Sequence, residues 1–355
     1  MRKAAISSGI LGVILLVAAG LMAWWITPSY IARLPSDYNK TRTYTGTIGS
    51  LLNPLAFARG NLAGAIKTGL PATLTDQVKV LQTAGNTARI QDTRTISASG
   101  TRVSSSTWQY AVDRSSLQAT SSHPGDWKVT PATGLTVSWP LGAKKQTYTG
   151  WVPFTHTTTP LTYVNQVQQG GISTYEYHAA VPPTPIKDPQ VLASLPKAIP
   201  AALLTKLRAS GILPAAEAAA LARAFPHATS IPLGYTYQAS NNYFVAPATG
   251  LVVNVSNNET EMGGIALPGG KIIPVFPILA DTYHATPASL SAAVTDANNG
   301  SSAITTWGVA VPIAAAAVGF LLVLLAILLW LRGRSRGRPV EYVAPERHPS
   351  PTGVR

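Results

Sequence analysis

The chain has 355 residues, 27 of them basic and 14 acidic, for a net charge of +13, and it contains no cysteine, which rules out disulfides, thiol nucleophiles and cysteine metal sites. The positive surplus is uneven: two basic residues open the chain and six lie beyond Leu331, leaving 19 basic against 12 acidic residues between the two apolar runs described below. Those charges are scattered, which argues against a nucleic-acid partner and suits a mild attraction to anionic lipid surfaces.

Met1-Arg2-Lys3 precedes an uncharged run from Ala4 to Ile26 that ends in Trp24-Trp25. A signal peptide shares the basic start, but its apolar centre spans about 7–15 residues. The longer run reads as a retained transmembrane helix over 4–26 with its Trp pair at the interface, cleavage near Ala18-Ala19-Gly20 being the alternative. Pro28-Ser-Tyr30 and Arg33-Leu34-Pro35-Ser-Asp37 then predict a stiff exit that ends the helix.

Arg42 to Ile48 alternates as a strand. Leu55 to Leu70 has helical apolar spacing, but its glycines favour a loop or short packed helix over an amphipathic helix on the membrane surface. From Thr75 the pattern is strongly β, with strands expected at 78–80, 88–90, 94–96, 103–112, 135–139, 146–154, 161–168 and 172–181, separated by Gly, Asn and Ser turns. Pro182-Pro-Thr-Pro185 closes this first β-rich module, 27–185.

An insert over 186–230 carries the helical signals, with pieces at 191–195, 201–210 and 215–225 punctuated by Gly211, Pro214 and Pro226. A second β-rich module, 231–306, has expected strands at 231–238, 243–246, 251–255 and 271–276, a polar turn holding Glu259 and Glu261, and a short helical or linker piece over 287–298. Tyr110-Ala-Val112 before Leu117 and Tyr243-Phe-Val245 before Leu251 form a weak internal echo of one hairpin chemistry.

Trp307 to Leu331 is a second uncharged run, long enough at about 1.5 Å per residue to cross a hydrocarbon core of about 30 Å. It stops at Arg332-Gly-Arg334-Ser-Arg336-Gly-Arg338. Basic residues thus flank both runs on one side, which predicts a two-pass plasma-membrane protein with residues 1–3 and 332–355 in the cytoplasm and 27–306 outside. Ala5/Gly9, Ala310/Ala314 and Ala315/Gly319 would let these helices, 4–26 and 307–331, pack on each other or on other membrane proteins. A cysteine-free ectodomain of this size argues for a bacterial source.

The fold class expected is mainly β (α+β): an antiparallel ectodomain with a helical insert, anchored by one transmembrane helix at each end. Catalytic signals are missing. His123, His156, His178, His227 and His284 have no recognised spacing, and there is no nucleophile elbow, zinc helix, phosphate loop or calcium loop, so the expectation is a non-enzymatic protein without cofactor or catalytic residues. Glu259 and Glu261 leave a cation site open, a solvated loop being the simpler reading. Trp139, Trp151, Tyr163, Tyr175, Tyr177, Tyr235, Tyr237 and Tyr243 fall on strands, where such aromatics either fill a core or line a groove for an acyl chain or glycolipid.

Tyr110-Ala-Val-Asp-Arg114, Trp139-Pro140 with Tyr148 and Trp151, Pro160-Leu-Thr-Tyr163, Gly170-Gly171, Pro182-Pro-Thr-Pro185, Tyr235-Thr-Tyr237 and Pro247-Ala-Thr-Gly250-Leu together resemble the actinobacterial membrane family named for porin PorA. Leu34-Pro35-x-Asp37 and an anchor at each end extend the resemblance over nearly the whole chain, while Ala246 departs from it where Asp is expected. The resemblance implies a role in the cell envelope, including movement of mycolic glycolipids in species that have them, and by name a channel. The physics favours binding or trafficking of an envelope lipid, with a scaffold second and an oligomeric channel third, because a spanning barrel gives no reason for two helical anchors.

Overall fold

The computed structural model describes residues 2–31, 33–61, 64–211 and 213–335. The arginine-rich tail expected in the cytoplasm falls outside the described residues from 336 onward. Residues 1–31 with 304–355 form one compact unit and 32–303 another.

In the first unit, α1 (Arg2–Leu21) packs on α7 (Val311–Ser335). Both are apolar and long enough to cross a membrane. The contact is made by glycines: a Cβ on Gly12 would lie 2.7 Å from the Gly319 carbonyl oxygen, and one on Gly319 would lie 2.8 Å from that of Gly12. Small residues therefore let the two backbones touch, and Gly9 continues the seam against Ala326. The exit expected to end the first helix does not do so. The chain continues helically through Met22–Ile31 as a π-helix. Trp24 stays 89% exposed within this segment.

The second unit is built on one antiparallel sheet, curled on itself. Its strands are β1 (Asn39–Leu52), β2 (Ile66–Ala84), β3 (Thr87–Ala98), β4 (Thr101–Asp113), β5 (Tyr148–Val152), β6 (Thr157–Gln169), β7 (Ile172–Pro185), β8 (Ala198–Pro200), β9 (Ser230–Val245), β10 (Val252–Ala266) and β11 (Ile272–Ala285). The order is β4-β3-β2-β1-β11-β10-β9-β7-β6-β5, with β8 beside β9. β1 pairs with β11, and β7 with β9, so the β-rich stretches on either side of the insert join in one sheet.

Several strands run longer than their patterns. The two runs expected at 231–238 and 243–246 are one strand, and Pro182 to Pro185 ends β7, with a bulge before Thr184. Residues 55–70 give the short helix α2 (Pro54–Ala58), capped by Asn53, and then the start of β2. The piece expected at 287–298 extends into α6 (Pro287–Thr305).

The strand expected at 135–139 does not form. Gly134 at φ +79° and Pro140 bracket it too tightly, and the segment between β4 and β5 touches the sheet only through single bridges, Val112 to Ala119, Gln118 to Leu135 and Leu135 to Gly150. This strap links the two end strands without a ladder. It is tied down where Trp139 N–H donates to the Gly250 carbonyl at 3.1 Å and Ala143 N–H to that of Pro247 at 2.8 Å. Gly250, at φ +69°, is required there because a Cβ would come within 2.1 Å of the Trp139 carbonyl oxygen.

The insert folds as α3 (Pro189–Ala193), α4 (Ala201–Ala209) and α5 (Ala215–Ala224). Leu203, Leu207 and Leu221 bury against sheet residues such as Ile265 and Phe276 in the main apolar core.

Candidate functional site

A cavity of about 220 Å³ lies inside the curled sheet. β1, β2, β3 and β9 to β11 present charged and aromatic side chains to it, and the strap lines it with Thr136 to Ser138 and, from β5, Trp151. The register explains the clustering. Asp76 on β2 stands opposite Arg94 on β3 and Arg42 on β1, and Glu259 on β10 stands opposite Asp281 on β11. Period-two alternation then places Asp92 beside Arg94, and Glu261 beside Glu259, on the same face.

Arg94 is the organising cation. It bonds Glu259 at 3.0 Å, contacts the Tyr283 hydroxyl and sits 5.1 Å over that ring. Burial, the largest single effect, would lower its pKa, but the charges of Glu259, Tyr283, Asp281 and Tyr237 together outweigh it and keep the guanidinium protonated. Asn241 adds a bond to Glu259 at 3.4 Å.

The remaining acids lack such support. Burial first, and then the Glu259 charge, pushes Glu261 up to about 8 and raises Asp281 in the same direction. Asp76 and Asp92 are raised by burial, Asp92 further by the neighbouring Asp76 charge, while one oxygen of each has no partner. Thr136 Oγ1, also on the cavity wall, is unpartnered too. At the edge of this region Asp296 behaves oppositely: burial would raise it, but Lys40 at 2.8 Å and Arg42 hold it below the usual range.

The aromatic residues singled out in the sequence fall into three groups, with Tyr243 shared between two. Trp139, Tyr163, Tyr175, Tyr177 and Tyr243 join Tyr148 in one cluster, with Trp139 5.1 Å from Tyr177 and 5.3 Å from Tyr243. Tyr177 is fully buried at its centre and donates to the Lys144 carbonyl at 2.7 Å. Tyr235 is sealed against the insert, donating to the Pro196 carbonyl. Trp151, Tyr237 and Tyr243 border the cavity, Tyr237 stacking on Phe154 at 4.7 Å. Tyr175/Tyr177 and Tyr235/Tyr237 therefore do not frame one open groove; Tyr177, Tyr235 and Tyr237 are all packed inside.

The expected polar turn at Glu259 and Glu261 is corrected outright, since both lie within β10 and Glu259 is buried in an ion pair. Asp76, Asp92, Arg94 and Asp281 were not singled out by the sequence reading. Asp92 and Arg94 carried a signal as charged residues two apart in an otherwise strand-like run, which alternation directs to one face, whereas Asp76 and Asp281 each stand as a single acid among uncharged alternating positions.

A model of the Porin PorA family matches residues 6–328, spanning both apolar helices and the entire sheet domain. The chain belongs to the Porin PorA family. For this PorA-family chain, no curated protein matches. Among solved structures it is similar to acyl-CoA thioesterase II TesB2 from Mycobacterium marinum, at 11% identity over 70% of this chain and 81% of that one, with a TM-score of 0.13. A thioesterase from Novosphingobium aromaticivorans matches at 10% identity over 75% and 84%, with a TM-score of 0.12. Likenesses this slight carry no argument about fold or activity.

Proposed function

We propose that this PorA-family chain is a two-pass, non-enzymatic envelope protein with both termini cytoplasmic, whose extracytoplasmic sheet domain binds the polar headgroup of an envelope glycolipid. The observation that carries the reading is the interior cavity, whose lining sets the aromatic side chains of Trp108, Trp151 and Tyr243 together with Asp76, Asp92 and Thr136, each of which has an unpartnered oxygen. Rings facing hydrogen-bonding oxygens are what a polyhydroxylated group requires. At about 220 Å³ the cavity is smaller than the about 300–1,000 Å³ of sites that enclose drug-sized ligands, so it suits a headgroup rather than a whole lipid.

The test is mass spectrometry of lipids that copurify with the full-length protein, compared with an Asp76→Asn, Asp92→Asn variant of unchanged circular dichroism. A glycolipid enriched over the bulk membrane and depleted in the variant is expected. No enrichment, or enrichment indifferent to the variant, would sink the reading in favour of a scaffold.

The family name favours a channel as the second reading. In this chain the sheet's end strands meet only through the strap, and the helical insert packs into the core beside the sheet, which argues against a continuous pore. Single-channel conductance of the full-length protein in planar bilayers would decide for it.

A further inference from the structure

Among the described residues of the sheet unit, only Leu55 and Val164 expose a large apolar side chain, and Leu55 is the more open at 70%. Leu55 stands in α2, a one-turn helix fixed by the Asn53 cap and by Phe57, whose ring lies 4.4 Å from that of Phe276. The buried half of this turn is thus locked while Pro54 and Leu55 face outward.

Three exposed cations stand on the segments that adjoin this turn. Arg59 is exposed at the end of the same turn, and Lys67 is exposed on β2, which starts where Ala65 accepts the Asn53 N–H at 2.7 Å. Lys206, exposed on α4, brings its Nζ to within 2.9 Å of where a Gly60 Cβ would stand. None of the three makes an ion pair or a side-chain hydrogen bond among the described residues, and the sequence from 38 to 75 holds no acidic residue. A locked turn presenting one apolar side chain amid unneutralised cations combines the two forces that hold a protein on an anionic interface, apolar insertion and headgroup attraction.

We propose that this face, formed by Leu55, Arg59, Lys67 and Lys206, docks on the anionic headgroup surface of a lipid bilayer, independently of any ligand in the cavity. The cations attract the surface and Leu55 enters the headgroup layer. At about 1 kcal/mol per basic residue near such a surface, removing one should weaken attachment roughly fivefold.

The absence of native cysteine makes the test direct. The full-length protein carrying Leu55→Cys, labelled with an environment-sensitive fluorophore and held in phosphatidylcholine nanodiscs, is mixed with phosphatidylglycerol-containing or pure phosphatidylcholine vesicles. Val164→Cys serves as the control at the other exposed apolar site. A blue shift at residue 55 with anionic vesicles alone, absent at residue 164, is expected. It should disappear in an Arg59→Glu, Lys206→Glu background whose circular dichroism is unchanged, and in about 1 M salt, where screening falls to about 3 Å. No shift, an equal shift with neutral vesicles, a shift at Val164→Cys instead, or a shift that survives charge reversal would each overturn the proposal.

Discussion

The interior of the sheet domain is built on opposite terms at its two ends. Around the insert, Leu207, Leu221, Ile231 and Phe276 are sealed in an apolar core with the tyrosine hydroxyl of Tyr235 satisfied by a carbonyl. Around β2, β3, β10 and β11, five acids share one partly buried arginine, unpartnered oxygens remain and a cavity persists. The first arrangement maximises burial. The second keeps polar groups dry at a cost in stability, which a protein retains where those groups have work to perform.

The contrast breaks most visibly at Arg94. Arg94→Met leaves the buried Glu259 without its cation and should cost about 3–5 kcal/mol in urea denaturation, with partial recovery when Glu259→Gln is added. A neutral Arg94→Met would mean that the charged end is solvated after all. Leu207→Ala at the apolar end should cost about 2–5 kcal/mol through its cavity, by the same amount at pH 5 and pH 8.

Between pH 5 and 8 the pH dependence of the wild-type protein should come from the charged end. Glu261 titrates near 8 when folded against 4.5 when unfolded, so between these values the folded state binds more protons. Stability therefore falls as pH rises through that window and levels off above it, and Asp281, Asp76 and Asp92 act in the same sense. Asp296 and Asp113, both held low, act oppositely and only in more acidic solution. Melting temperature should thus peak near pH 5 and drop by several degrees toward pH 8, and Glu261→Gln should flatten the drop. A profile rising from pH 5 to 8 would refute this assignment. Smallest of all, Tyr177→Phe should lose about 1 kcal/mol, the value of its bond to the Lys144 carbonyl, because its packing survives.

Much of this architecture was legible in the chain. Both membrane-length helices follow from apolar length, and most of the strands from alternation, because these signals are local and repeat every residue or two. The helical insert was equally plain in its alanine runs and in Pro214 and Gly211. The strand expected at 135–139 was not, since whether an alternating stretch pairs depends on what lies beside it, and here Gly134 and Pro140 leave room for single bridges only.

The site was less legible still. Sequence by itself determined that Trp151, Tyr237 and Tyr243 lie on or beside strands and that Asp92/Arg94 and Glu259/Glu261 are pairs two apart. Only the tertiary structure decided that these pairs face each other, because β3 and β10 are separated by three strands in the sheet and meet only through its curl. Register fixes neighbours along a ladder, but curvature, which no local pattern encodes, brings Arg94 to Glu259 across 165 residues and sets Glu259, from a polar run that reads as a solvated turn, into the cavity wall.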